Sequence, residues 1–282
     1  MPGILYIVAT PIGNLEDLSP RAKKALEQAE IIFCEDTRRT RALLNHLGIK
    51  KQSSCLESFY EHNQEQKIPK ALNWLSQGKI LALTTDSGTP SISDPGAKLV
   101  SACHQNGFKL VPIPGPSAIT ASLSASGFSA ERFLFLGFLP NKSNQRRKIL
   151  EKYKNFEQAM IIFEAPHRIK QTINDLLEVF GDRELCLARE LTKMFEEIKI
   201  TRLSQLKTEL KDKKVLGEIT IILKPLEKQI PPNINPDELE KEIKKLLKTG
   251  KKTKEIAETL SQKFKIPKKI IYQKVLELSQ KN

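Results

Sequence analysis

Short apolar runs alternate with longer stretches in which apolar residues recur every three or four positions through the first 226 residues. Ile4-Leu5-Tyr6-Ile7-Val8-Ala9 predicts a strand that ends in the turn Thr10-Pro11-Ile12-Gly13-Asn14. Ser19-Pro20 supplies an N-cap and a first-turn proline for a helix with Leu18, Ala22, Ala25, Leu26 and Ala29 on its apolar face. Ile31-Ile32-Phe33-Cys34 is a second strand, and Thr37 can cap a helix that runs through His46 and stops near Gly48. A helix carrying Leu72 and Leu75 ends at Gly78, before the strand Lys79-Ile80-Leu81-Ala82-Leu83. A helix from about Lys98 to Gln105, the short strand Leu110-Val111 and a small-residue helix from Ser117 to Ser126 complete this block.

The alternation resumes with Phe133-Leu134-Phe135-Leu136-Gly137-Phe138 and Met160-Ile161-Ile162-Phe163. It continues through Leu185-Cys186-Leu187-Ala188 and Gly217-Glu218-Ile219-Thr220-Ile221-Ile222-Leu223. Strands and helices in turn predict an α/β protein with two α/β domains, residues 1–120 and 121–226, whose sheets are parallel or mixed. A Pro/Asn-rich linker at 227–235 precedes a small all-α unit at 232–282. Its helices start at Asn235-Pro236, Thr253 and after Pro267, and the first stops at Gly250. Their spacing predicts a helix-turn-helix-like unit.

Charge changes the picture. The formal net charge is +13, which favours a polyanionic partner, nucleic acid before an acidic membrane surface. From Pro231 onward there are 13 lysines against seven acids, a denser positive charge than in the body. Aromatic residues make up only 6%, so no stacking platform for single strands stands out. No apolar run approaches the ~20 residues of a membrane span. The four cysteines are far apart and form no C-x-x-C pair, which points away from zinc and disulfides and toward a reducing, cytoplasmic compartment.

The richest segment is Thr84-Thr85-Asp86-Ser87-Gly88-Thr89-Pro90-Ser91-Ile92-Ser93-Asp94-Pro95-Gly96. It sits at the carboxyl end of a predicted buried strand, where open α/β sheets bind ligands. Glycines permit close backbone approach, and the short hydroxyls can face a polar ligand. Phosphate-loop, dinucleotide-binding and nucleophile-elbow motifs are absent from the sequence. Asp86-Ser87-Gly88-Thr89 matches the aspartic-protease tetrapeptide, but it has no second copy and its context is not all-β.

Several motifs recur in order: Leu5 to Asp17, Cys34-Glu35-Asp36-Thr37-Arg38, the Asp86 to Gly96 loop and Pro114-Gly115-Pro116-Ser117-Ala118. They continue with Gly137-Phe138-Leu139-Pro140, Phe163 to Arg168, Arg189 to Lys193 and Gly217-Glu218. With them the chain, from residue 4 to about 224, resembles the tetrapyrrole methylase superfamily, and within it the branch that methylates a cytidine ribose 2′-oxygen of 16S ribosomal RNA in the small subunit. The resemblance implies S-adenosyl-L-methionine in a cleft between two α/β domains, a homodimer, and a small-subunit RNA substrate. By position, cofactor contacts would come from Thr10, Pro11, Asp86, Ser87, Gly88, Thr89, Ser91, Ile92, Ser117, Ala118, Phe163, Glu164, Glu218 and Ile219.

Methyl transfer to a ribose hydroxyl gains from partial proton removal, and Glu35, Asp36, Glu164 and His167 are candidates at predicted strand ends. Structural roles stand beside these: Glu35 and Asp36 could cap the following helix, His167 could be an ordinary first-turn residue, and Glu190 could pair with Arg168 or Arg189. Arg38, Arg39 and Arg41 form a basic cluster suited to phosphate, as do Arg146 and Arg147 in a segment expected to be mobile, and Arg168. The same cofactor acting on a tetrapyrrole or another small substrate is the alternative. A pure nucleic-acid-binding module would leave the glycine, proline and carboxylate loops without a purpose.

Overall fold

The computed structural model describes residues 2–226, 236–249, 251–264 and 266–279; the expected linker at 227–235 and the expected helix stop at Gly250 lie outside them. Residues 1–225 form one compact unit and residues 226–282 a second.

The first unit opens with β1 (Ile4–Val8), α1 (Pro20–Gln28), β2 (Ile31–Cys34), α2 (Thr37–His46), β3 (Leu56–Ser58), α3 (Gln64–Ser76), β4 (Ile80–Leu83), α4 (Ala97–Gln105) and β5 (Lys109–Ile113). The strands lie in the order β3-β2-β4-β1-β5, all parallel. Alternate residues face opposite sides. Val8, Ile32 and Ala82 pack under Ala22, Ala25, Leu26 and Leu44 of α1 and α2. Leu5, Phe33, Leu81 and Leu83 pack under Ala71, Leu75, Leu99 and Cys103 of α3 and α4. Ser19 caps α1 as expected, its Oγ accepting from the Ala22 N–H at 3.1 Å. The cap of α2 is Asp36 rather than Thr37, which is the first helical residue; Asp36 Oδ1 accepts from the Arg38 N–H at 2.8 Å.

The connection leaving β1 runs toward the β3 edge and that leaving β4 toward the β5 edge. These adjacent strands therefore define the switch point of the sheet, and a crevice opens beyond their carboxyl ends.

A second sheet follows from α5 (Ala118–Ala125), β6 (Phe133–Phe138), α6 (Ser143–Glu151), β7 (Ala159–Glu164), α7 (Ile169–Phe180), β8 (Glu184–Arg189), β9 (Glu197–Arg202), α8 (Leu203–Leu210) and β10 (Ile219–Leu223). Its order is β6-β7-β10-β8-β9, with one parallel and three antiparallel pairings. Helices α6, α7 and α8 cover one face through Leu150, Ile169, Ile173, Leu176, Leu203 and Leu206. Leu123 of α5 packs on the other face, against Ile161, Cys186 and Ile222. The expected domain boundary at 120/121 thus falls inside a helix that packs on the second sheet.

Two expectations for basic residues are corrected here, the mobile segment and an accessible Arg146, and the partners of Arg147 and Arg168 are given beside them. The segment around Arg146 is helix α6, not a mobile arm. Arg146 is fully buried; its Nε donates to Asp175 Oδ2 at 2.6 Å and its Nη1 to the Pro140 carbonyl at 3.1 Å, so it cannot contact RNA. Arg147 lies against Glu178 at 2.6 Å. Arg168 ties the Leu139 carbonyl (2.5 Å) and Asn141 Oδ1 (2.6 Å) to the start of α7, and only 14% of its side chain is exposed.

The second unit consists of α9 (Pro236–Lys248), α10 (Thr253–Phe264) and α11 (Lys268–Ser279). Leu239, Ile243, Ile256, Leu260, Ile271 and Val275 form its core, the spacing expected of three amphipathic helices. Ion pairs Lys263–Glu242 (3.2 Å) and Lys274–Glu240 (3.0 Å) join the helices outside that core.

Candidate functional site

The site is built from the loop that follows β4. Thr84 continues the strand, its N–H donating to the Phe33 carbonyl at 2.8 Å. The chain then turns back, and Thr10 and Gly88 exchange backbone hydrogen bonds of 2.8 and 3.1 Å, lashing the loop to the end of β1. The Thr10 hydroxyl donates to the Thr85 carbonyl (3.0 Å) and the Thr89 hydroxyl to the Pro116 carbonyl (3.3 Å). Ser91 and Ser93 have φ of 69° and 64°, left-handed values uncommon for residues with a Cβ. Gly96 is required at φ 140°, because a Cβ there would lie 2.5 Å from Ser91 Oγ. Four connections and two strained serines hold this loop in one conformation, as a preorganised binding loop needs.

Opposite it stand the ends of β7, β8 and β10. Gly217 has φ +87°, and a Cβ on it would sit 2.3 Å from Glu190 Cγ. Glu190 Oε1 accepts from the Glu218 N–H at 2.9 Å and from Lys193 Nζ at 2.9 Å. Lys193 first, and the Glu218 amide next, hold the Glu190 carboxyl below its ordinary pKa. The expected pairing of Glu190 with Arg168 or Arg189 is therefore replaced by Lys193; Arg189 pairs with Glu197 at 3.0 Å. The Asn14 N–H donates to Thr192 Oγ1 at 3.0 Å, joining the turn after β1 to the turn after β8.

Between these walls lies a cavity of about 420 Å³, within the range of small-molecule sites. Of the expected cofactor contacts, Asp86, Ser87, Gly88, Thr89, Ile92, Ser117, Ala118, Phe163, Glu164, Glu218 and Ile219 line it. Thr10, Pro11 and Ser91 do not; Thr10 lies behind the wall as a loop fastener, and the buried Ser91 hydroxyl completes no hydrogen bond. Ser93 and Asp94, part of the expected ligand loop but not of the expected cofactor contacts, also line the cavity, while sequence reasoning gave no role to Ile12, Ile119, Phe138, Ala188, Leu191 and Thr220. A signal for Asp94 existed, since it shares the Asp86 loop. The β8 contributions Ala188 and Leu191 carry none, being ordinary core residue types.

The proton-acceptor candidates separate. Asp36 is spent on the α2 cap and a two-pronged contact with Arg38, which holds its pKa down at about 2. Glu164 is 2% exposed and committed to the Ala165 N–H (2.7 Å), to the Thr172 hydroxyl and to Arg168 Nε (3.2 Å). His167 is exposed in the turn before α7, outside the cavity lining. Glu35 lines the cavity with its pKa raised, first by burial and then by the nearby Asp86 charge. Asp86 Oδ1 accepts from the Asp36 N–H (3.1 Å), and its Oδ2 faces Arg39 at 3.4 Å. Arg38 and Arg39 are exposed; Arg41 is half-buried.

The lining suits a nucleoside sulfonium. The carboxylates of Glu35, Asp86 and Asp94 lie on one side, and Ile92, Ile119, Leu191 and Ile219 offer apolar walls for a base. The buried Thr85 Oγ1, beside the cavity-lining Asp86, completes no hydrogen bond in the protein. No group of metal-ligating side chains occurs among the described residues.

The family model of Tetrapyrrole (Corrin/Porphyrin) Methylases matches residues 4–207. The chain is 45% identical to Ribosomal RNA small subunit methyltransferase I of Thermotoga maritima over 221 residues, 78% of this chain and 98% of that protein. It is 40% identical to the protein of the same name from Neisseria meningitidis serogroup A, over 99% of this chain and 94% of that one. Among solved structures, diphthine synthase superposes with a TM-score of 0.59 at 16% identity, covering 79% of this chain and 90% of that chain. The cobalamin biosynthetic enzyme cobalt precorrin-4 methyltransferase superposes with a TM-score of 0.57, also at 16% identity, over 78% of this chain and 94% of that one; at that identity the likeness concerns fold alone. The two sheets, the switch-point loop and the family match lead to one statement: this chain belongs to the tetrapyrrole methylases, S-adenosylmethionine-dependent methyltransferases.

Proposed function

We propose that this chain transfers a methyl group from S-adenosylmethionine to the 2′-oxygen of a cytidine in 16S ribosomal RNA of the small subunit, in the cytoplasm. The observation that carries this reading is the near-full-length likeness to proteins named for small-subunit ribosomal RNA methylation, on a chain with a net charge of +13. Bound in the cavity, the cofactor supplies an electrophilic methyl group together with its own leaving group. The residues of this chain orient and desolvate. Asp86 and Glu35 give the cavity the negative potential that a sulfonium and an ammonium favour. Ser87, Gly88, Thr89, Ser117, Ala118 and Glu218 offer backbone and hydroxyl partners, with Ile92 and Ile219 excluding water. Thr10 acts from behind as a support. On the rim, Arg38 and Arg41 are suited to phosphate, which positions the nucleotide without reading its base.

The test is transfer of tritiated methyl to naked RNA, to small subunits and to a tetrapyrrole, with the labelled product mapped. The expected product is a 2′-O-methylcytidine in small-subunit RNA; label in the tetrapyrrole alone overturns the reading. The lysine-rich second unit adds affinity. The relative from Thermotoga maritima, matched over 98% of its length by 221 residues, leaves little room for such a unit. Deleting residues 232–282 should lower RNA affinity about tenfold at low salt and flatten its salt dependence, with transfer retained. Equal RNA binding without the tail counts against its role.

A homodimer is part of the same reading. Strand β9 is an edge of the second sheet, and Met194 (91% exposed) and Phe195 (68%) stand beside its outward Ile198 and Ile200. An apolar edge of this kind is suited to a second copy. Sedimentation equilibrium should report twice the chain mass, and a monomer at micromolar concentration rejects the pairing.

A further inference from the structure

We infer that Asp94 is the catalytic residue that accepts the ribose hydroxyl proton. This rests on the reading of the chain as a ribose 2′-O-methyltransferase. Five acidic groups line the cavity, and three of them are already engaged. Glu164 is filled by Thr172, the Ala165 amide and Arg168. Glu218 faces Lys193 at 3.2 Å on the exposed far wall. Asp86 is engaged by Arg39 and by the Asp36 amide. Two carboxylates remain, Glu35 and Asp94, with no ion pair to either among the described residues. Both line the cavity, and the buried Thr85 hydroxyl nearby completes no hydrogen bond.

Asp94 is set apart from Glu35 by its support. It is held between Ser93, in a left-handed conformation, and Pro95, whose ring restricts the residue before it. Behind them, Gly96 and Ser91 are in close contact. Its short side chain has fewer rotamers to lose than that of Glu35. The charged groups facing it are Glu35 and Asp86, with Arg39 on the same wall and the paired Glu164 and Glu218 across the cavity. Burial first, and then the charges of Glu35 and Asp86, push its carboxyl up to about 6. A base of that strength is largely ionised at neutral pH and still takes a proton more readily than an ordinary carboxylate. In the transfer, the bond from the ribose oxygen to the methyl carbon forms as the bond from that carbon to sulfur breaks. The hydroxyl proton passes to Asp94 and then to water, and the sulfur electron pair stays on a neutral thioether.

The test compares wild type with Asp94→Asn, which keeps the shape and removes the basicity. Four readouts are needed: single-turnover rate against pH on small subunits, cofactor affinity by calorimetry, RNA affinity, and Tm. In the wild type the rate should rise tenfold per pH unit at low pH and level off above about 6. Asp94→Asn should slow transfer about 10²–10⁴-fold and erase that inflection, with both affinities within about threefold. Its Tm should rise by about 2–4 °C, because a carboxyl with a raised folded-state pKa weakens the fold once pH passes that value. An unchanged rate, a retained inflection, or a cofactor affinity lost in step with the rate overturns the assignment. Glu35→Gln runs in parallel and should keep the inflection; its loss in that variant, with Asp94→Asn retaining it, assigns the proton to Glu35 instead. A wild type inactive on RNA but active on a small substrate removes the underlying reading, an outcome distinct from each of these.

Discussion

Replacing Arg146 with alanine should destabilise the first unit by about 3–5 kcal/mol, because it takes away the guanidinium that touches the buried Asp175 carboxylate and leaves it with the Ser143 hydroxyl and the more distant Arg147, 4.0 Å away. Arg146 is 0% exposed, the largest of the fully buried side chains, and joins α6 to α7 and to the Pro140 carbonyl. In a unit of this size that loss lowers Tm by about 6–20 °C. The neighbouring Arg147→Ala is the control. Its pairing with Glu178 is exposed and its Nε stands 4.0 Å from Asp175, so it should contribute no more than about 1 kcal/mol. Restoring neutrality with Arg146→Met plus Asp175→Leu should recover much of the lost stability, since neither charge is then left alone. Thermal denaturation of the four proteins decides the matter. Should Arg146→Ala melt like wild type and yet bind RNA weakly, the buried position would be wrong and the residue would belong to the RNA surface.

Arg146 also shows where a sequence stops being legible. Asn144-Gln145-Arg146-Arg147-Lys148 is so polar that composition alone gives it to solvent. Its acidic partner, Asp175, lies 29 residues onward, on a mostly apolar helix face, and no local pattern links the two. Strand β9, with its Glu-Ile-Lys-Ile-Thr-Arg alternation, and the short α8 after it are also missed, because a sheet edge needs no buried run. Interior strands behave oppositely. Ile31–Cys34, Ile80–Leu83 and Ile219–Leu223 are almost wholly apolar because helices or neighbouring strands cover both faces, and they are legible from residue type alone.

The site divides along the same line. The Asp86 loop is legible because its chemistry lies in consecutive residues that no turn requires. Ala188, Leu191 and Ile119 reach the cavity only through the sheet order, and as ordinary apolar residues they look like core. The competition between capping and catalysis at Cys34-Glu35-Asp36-Thr37 could be stated from sequence but not decided. Geometry gives the cap to Asp36, whose Oδ1 lies 2.8 Å from the Arg38 amide nitrogen, and puts Glu35 in the cavity lining.

The second large effect is expected at Asp86. Asp86→Ala should weaken S-adenosylmethionine binding about 100-fold, or about 2.7 kcal/mol, with Tm changed by only a few degrees. Two consequences of the substitution act in the same direction. The cavity loses a carboxylate, and Arg39, which faced that carboxylate at 3.4 Å, is released as an unpaired cation on the same wall. A positively charged ligand then meets less attraction and more repulsion. Asp86→Asn should fall between, since an amide oxygen still accepts from the Asp36 N–H while the charge is gone. The cofactor's thioether product, neutral at sulfur, should lose less affinity than the sulfonium in both variants. Titration calorimetry with both ligands reads that difference. Equal losses for the two would mean that Asp86 shapes the loop rather than the potential. Unchanged sulfonium affinity in Asp86→Ala would remove the residue from the cofactor site, leaving Glu35 and Asp94 as the carboxylates that face the positive sulfur.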